Sequence, residues 1–151
     1  MFMRLEMSLF KTIVANTPLI SIDLIIFDKT GKALLGQRHN RPAQNCWFVP
    51  GGRILKDESF EDAFKRITEE ELGVKLFLND AEFYGVYEHF YDDNFSGEEF
   101  STHYVVHAYR LTLNPEMLLL PQIQHSEYQW FNHDSLLSNQ AVHQFTKNYF
   151  L

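Results

Sequence analysis

The chain contains one cysteine, Cys46, in 151 residues. That excludes an internal disulfide and any cysteine-rich zinc site, and Cys46 reads as a packing residue beside Trp47 rather than a nucleophile. Basic side chains are also scarce: thirteen Lys and Arg stand against twenty Asp and Glu, a formal charge of -7. Such a balance disfavours a nucleic-acid-binding surface, so any phosphate must be held locally by a few arginines and a cation. No apolar run approaches the roughly 20 residues a bilayer-spanning helix needs, so no membrane partner is expected. The amino terminus, MFMRLEMSLFKTIVANT, carries an acid and lacks a clear cleavage site, which makes a cytoplasmic protein the expectation. Repeats and long linkers are missing too. With 45% hydrophobic residues, one full core can be buried with little room for a second, so residues 1–151 are expected to form a single domain.

What the chain does have is a loop feeding a short helix, from Gly52 to Val74. Gly51 and Gly52 follow the apolar run Trp47-Phe48-Val49-Pro50, so the backbone turns sharply and can approach a ligand. Asp57 or Ser59 can cap the helix that follows, and Asp62 stands three residues after Ser59 as in a capping box. Phe60, Ala63, Phe64 and Ile67 recur at helical spacing and mark a buried face. Gly73 supplies the left-handed stop. Three acids, Glu69, Glu70 and Glu71, crowd the helix C-terminus, where mutual repulsion and the macrodipole both oppose them. Alone they fit a solvated acidic face. Joined to the glycine turn and Glu58, with Arg66 four residues before Glu70, they fit a magnesium site better, since hard cations take carboxylate and carbonyl oxygens.

This segment resembles the Nudix box: a glycine, five residues, a glutamate, seven residues, then REUxEExGU with U a bulky aliphatic. Gly52, Glu58, Arg66, Glu70, Glu71, Gly73 and Val74 match. Ile67 departs where the family usually has a metal-binding glutamate, and Thr68 departs where it has an aliphatic. Longer runs, TPLISIDLII, RHNRPAQNCWFVPGGRI, YGVYEHFYDDNFSGEEFSTHYVVHAYR and LLLPQIQHSEYQWF, resemble the GDP-mannose mannosyl hydrolases, an atypical branch of the Nudix family. The resemblance implies an α/β Nudix sandwich, α/β/α with a mixed sheet, and a homodimer. It implies a Mg2+-dependent hydrolysis, with Mn2+ able to substitute, of GDP-mannose and GDP-glucose at the anomeric carbon. The alternatives are phosphoanhydride cleavage by an ordinary Nudix pyrophosphohydrolase, against which the missing carboxylate at Ile67 argues, and an inactive nucleotide-sugar-binding domain.

The remaining chain places the candidate residues. Leu5 to Val14 reads as a short helix and Leu19 to Phe27 as an isoleucine-rich strand, turned by Asp28-Lys29-Thr30-Gly31 into a second strand from Lys32. Asp23 is anomalous within that apolar run: it faces water at an edge or it enters a wet site. The resemblance favours a catalytic pocket. Arg38 before the glycine turn and Arg53 after it could grip one diphosphate through forked hydrogen bonds, and the resemblance gives them the departing nucleoside diphosphate. Trp47 and Phe48 read as core. Val74 to Leu78, Ala81 to His89 and His103 to Leu113 read as strands, residues 91–97 as a plain turn. Tyr104, which alone reads as core, takes by resemblance a contact with the diphosphate. His125, in a polar loop before a strand at Tyr128 to Phe131, is the candidate general base, histidine titrating near neutrality. His89 is second, as a residue that orients the pocket. By the same resemblance Glu71, the Gly51 carbonyl and Gln124 hold the metal, and Arg66 and Glu70 support them. Val142, Phe145 and Tyr149 suggest a C-terminal helix packed on the sheet.

Overall fold

The computed structural model describes residues 4–120 and 125–151. Leu19–Phe27 forms strand β1 with the expected bounds, its isoleucines suited to a pleated surface packed on both sides. The Asp28 carboxylate accepts from the Thr30 and Lys32 amides, which folds the turn into β2 (Ala33–Arg38). Two short strands follow, β3 (Trp47–Phe48) and β4 (Gly51–Arg53). β5 (Glu82–Tyr91) and β6 (Thr102–Thr112) pair antiparallel, and β7 (His125–Phe131) closes against β2. The order is β3-β2-β1-β6-β5, with β4 added to β1 and β7 to β2. β1 and β6 run parallel and the other pairs antiparallel, so the sheet is mixed, as expected.

Helix α1 spans Met7–Asn16 and α2 Phe60–Leu72. On one face of the sheet Ala63, Phe64, Ile67 and Leu72 of α2 pack against Ile22, Leu24, Ile26 and Leu34. On the other, Ile25, Leu35, Trp47 and Ala108 meet Leu136, Val142 and Tyr149 of the C-terminal segment. Each large apolar side chain buried this way contributes about 1.5–3 kcal/mol, which fixes both layers on the sheet. No helix among the described residues is long and apolar enough to cross a membrane.

Three sequence expectations are corrected. Phe60 is 42% exposed; at the first turn of α2 it sets its ring edge on His107, centroids 5.0 Å apart. Val74 to Leu78 forms no strand: Thr68 Oγ1 accepts from the Leu76 amide at 2.9 Å, turning the chain so that Leu76 packs into the core before a 3-10 turn at Leu78–Asp80. The single C-terminal helix is two, α3 (His133–Ser138) and α4 (Gln144–Lys147), with a further 3-10 turn at Asn148–Phe150. Between them the chain leaves helical geometry to pair with β3: Trp47 N–H donates to Ala141 O at 2.8 Å and His143 N–H to Trp47 O at 3.2 Å.

One edge of β1 pairs with β6 along its length, and the other edge serves two partners. Its end meets β2 at Phe27 and Ala33, while Ser21, Ile22 and Asp23 pair with Arg53, Gly52 and Gly51 of β4. The parting of β1 from β2 opens a crevice, and the candidate residues collect there.

Candidate active site

Alternation along β1 sends Ile22 and Leu24 toward α2 and leaves Ser21 and Asp23 on the opposite face. There they join Arg38, Phe48, Gly51, Gly52, Arg53, His89, Tyr91 and Tyr104 around a cavity of about 80 Å³. Asp23 therefore lines the pocket and does not face open water at an edge. Gly51 is required beside it, because a Cβ there would collide with the Asp23 carboxylate and the Ile22 carbonyl.

Burial pushes the Asp23 carboxyl up to about 7, and Glu71 works in the same direction; a hydrogen bond from Tyr149 and the charge of Arg38 work against them. Tyr149 Oη donates to Asp23 Oδ2 at 2.6 Å and lies 3.4 Å from His89 Nε2. His89 stacks flat on Phe145, centroids 4.4 Å apart. Burial, aided by His143, brings its imidazole down to about 4, so it is neutral near pH 7 and can orient a ligand by hydrogen bonding without bringing charge.

The guanidinium of Arg38 lies 5.3 Å over the Phe48 ring, and its Nε is buried with no hydrogen-bond partner among the described residues. An orphaned buried donor on a cation fits an anionic ligand. Arg53 reaches the pocket from β4 with its guanidinium 4.9 Å over Phe10. Burial raises the phenol of Tyr104, which remains a hydrogen-bond donor between the two arginines.

Beyond Gly51 a second cavity of about 260 Å³ is lined in part by Arg53, Arg66, Glu70, Glu71 and Tyr104. Ser59 Oγ accepts from the Asp62 amide at 3.1 Å and caps α2, while Gly73, at φ 75°, closes it; Asp57 instead occupies a left-handed turn at φ 67°. The capped helix presents Arg66, which bonds Glu58 twice, the Arg53 carbonyl at 2.7 Å and Glu70 at 3.1 Å. Glu70 is also held by Arg4 at 2.9 Å. Glu71 is buried and accepts from the Gly51 amide at 3.3 Å. Among the described residues no three His, Cys, Asp or Glu side chains form a metal cluster. Glu71 opposes the charge of Asp23 across the turn at Gly51, and carboxylate and carbonyl oxygens are the donors a hard cation takes. Gln124 lies outside the described residues. So does the side chain of His125; its backbone, expected in a loop before Tyr128, instead begins β7, held there by pairing with Arg38.

The chain matches the NUDIX domain model over residues 17–150. It belongs to the Nudix hydrolase family. It is 42% identical over 122 residues to the low-salt glycan biosynthesis protein Agl8 of Haloferax volcanii, covering 81% of this chain and 76% of the relative. A MutT Nudix hydrolase from Burkholderia pseudomallei superposes with TM-score 0.70 at 27% identity, covering 89% of this chain and 97% of that one. The Nudix domain of Shewanella oneidensis NrtR, solved with ADP-ribose, shares the fold at TM-score 0.65 and 19% identity, covering 96% of each chain. Nudix hydrolases generally use divalent metals, and both departures of this one from the family box have structural explanations. Ile67 is fully buried beneath Gly52, whose added Cβ would lie 3.1 Å from Ile67 Cγ1. Thr68 donates to the Phe64 carbonyl at 2.9 Å and holds Leu76, a bond no aliphatic side chain could make.

Sequence reasoning brings Asp23, Arg38, Arg53, Tyr104 and His89 into one pocket, and Gly51, Glu71, Glu70 and Arg66 around the adjoining one. It misses Tyr91, Tyr149 and the pocket role of Phe48. Periodicity marks Tyr149 as core, and only its hydroxyl, an unusual group for such a buried position, signals a polar partner.

Proposed function

We propose that this Nudix hydrolase cleaves a nucleoside diphosphate sugar, GDP-mannose and also GDP-glucose, at the sugar's anomeric carbon. The observation that carries the reading is Ile67: hydrocarbon fills the position beneath Gly52 where the family box has a metal-binding carboxylate. A chain without that glutamate is poorly equipped to gather several cations for attack at phosphorus, and its two arginines instead suit a diphosphate that leaves whole. The likeness to a glycan biosynthesis protein supports a sugar-linked substrate.

In this reading water's oxygen bonds to the anomeric carbon and the bond from that carbon to the β-phosphate oxygen breaks. The electron pair departs on GDP, and the water's proton passes to a base. Arg38 and Arg53 stabilise the charge developing on the diphosphate, with the Tyr104 hydroxyl donating beside them. Asp23 sits on the pocket floor, where a carboxylate stabilises positive charge developing on the sugar ring, and neutral His89 orients the sugar. His125 is the general base. Mg2+ would be held by Glu71 and the Gly51 carbonyl, with Gln124, and would neutralise the diphosphate; Mn2+ shares the oxygen chemistry and can substitute. Arg66 positions Glu58 and Glu70 and touches no substrate.

Hydrolysis in heavy-oxygen water tests the bond broken. Label on free sugar, unlabelled GDP and β-mannose as the first anomer released are expected; label on phosphate, with GMP and a sugar phosphate as products, would restore the pyrophosphohydrolase reading. The domain is inferred to span 1–151, to work in the cytoplasm and to be a homodimer. Exposed Ile20, Phe83, Val86 and Phe90 support the dimer, and light scattering giving the mass of one chain would remove it.

A further inference from the structure

Tyr149 reaches two residues of the pocket wall, Asp23 and His89, from the 3-10 turn at Asn148–Phe150, outside both the box and the sheet. It is 2% exposed, and its surroundings fix it from several sides. Its ring stands edge-on to Tyr87, centroids 4.7 Å apart, and its carbonyl accepts from Tyr84 Oη at 2.9 Å. With ring and backbone held, its hydroxyl donates to Asp23 Oδ2 at 2.6 Å, the length of a charge-assisted bond. The other carboxylate oxygen is confined as well, since Oδ1 occupies the space that a Cβ on residue 51 would need.

We propose that Tyr149 is the positioning residue for Asp23, setting the orientation of the pocket carboxylate from 126 residues away in sequence. This rests on the reading above, in which Asp23 acts on the sugar. Counting donors gives the contact a direction. A tyrosine hydroxyl has one proton, here given to Asp23, so toward His89 Nε2 at 3.4 Å its oxygen accepts and the imidazole carries its proton on Nε2. The same phenol thus orders a carboxylate and a neutral histidine from one point. An aspartate left to choose among its staggered rotamers would present its charge to the sugar only part of the time.

Tyr149→Phe keeps the ring and removes the hydroxyl. In nucleotide-sugar hydrolysis kcat is expected to fall about 10–100-fold, the loss of one hydrogen bond to a charged group, while KM and GDP affinity change little. In an Asp23→Asn background the second substitution is expected to cost far less, because the group it positions is gone. Proton NMR reports the bond without turnover. The Tyr149 hydroxyl is expected as a slowly exchanging downfield resonance, absent in Tyr149→Phe and displaced in Asp23→Asn. If the wild type releases GMP and a sugar phosphate, the reaction assignment fails while that resonance still tests the contact. Losses that multiply in the double variant, or a resonance unmoved by Asp23→Asn, would overturn the proposal. Should Tyr149→Phe fold poorly, the resonance in wild type and Asp23→Asn decides alone.

Discussion

Arg66 grips both oxygens of Glu58, Nε to Oε2 at 2.7 Å and Nη2 to Oε1 at 2.9 Å, and the same Nη2 donates to the Arg53 carbonyl. One planar guanidinium thereby ties α2 to the turn before it and to β4. The Glu58 side chain is fully enclosed, so removing its partner strands a buried charge. Arg66→Met is expected to cost about 3–5 kcal/mol of stability, read from urea or thermal unfolding. Arg66→Lys should recover only part of it, since an ammonium cannot make the fork and reach the carbonyl together. Burial works to raise the Glu58 carboxyl, but hydrogen bonds from Arg66 and the Leu55 amide outweigh it and leave the group below its ordinary 4.5. Its contribution is therefore complete above that value and disappears as pH falls through the lower folded value, and Glu58→Gln should flatten this acid limb.

Asp23 gives the opposite sign. Its folded value of about 7 lies above the ordinary 3.8, so between those limits the folded protein holds a proton that the unfolded chain has released. Metal-free protein should lose stability as pH rises from about 4 to 7, by an amount on the order of 4 kcal/mol at most. Asp23→Asn should remove that slope, and melting curves at pH 5 and pH 8 measure the difference. A slope unchanged in the variant would show that the carboxyl is ionised throughout.

For the metal, Glu71 and Glu70 are separable. Magnesium should raise the melting temperature of the wild type and restore hydrolysis after chelation. Glu71→Gln should abolish the shift and lower kcat by about 10²-fold at fixed magnesium, comparable with losing one main electrostatic contact in a transition state. Glu70→Gln should leave the metal-induced shift in place, because Arg66 and Arg4 already hold that carboxylate. Full activity of the wild type in chelator would end the magnesium assignment.

His125→Gln should lower kcat about 10²–10⁴-fold with a smaller change in KM, as for a lost general base. The pH profile is the sharper reading, since the acidic limb should go with the imidazole. A modest loss with the limb unchanged would transfer the base to Asp23.

How much was legible in the sequence depends on the range of the interaction. Leu19–Phe27 and the Ser59 to Gly73 helix follow from local signals, an apolar β-branched run and a cap with a glycine stop, and both stand where those signals place them. Asp23 is legible as an anomaly, a charge inside that run. Phe60 misleads because helical periodicity cannot tell that a first-turn residue rests only its ring edge on His107 and stays exposed. Val74 to Leu78 misleads because its apolar content serves packing held by Thr68. The C-terminal helix breaks where residues 141–143 pair with Trp47, a contact almost a hundred residues long in sequence. Tyr149 and Asp23 meet over a longer span still, and no window along the chain contains both.

The division of one edge of β1 between two partners has a consequence for variation. Its first half is bound to the glycine turn and carries Ser21 and Asp23; its second half is bound to β2 and carries Ile25 and Phe27 into the core. Substitutions at 22 and 25–27 should be felt as melting temperature, and those at 21 and 23 as substrate preference. Selection could then retune the ligand and the thermal tolerance of this enzyme at neighbouring positions of one strand, largely without trading one for the other.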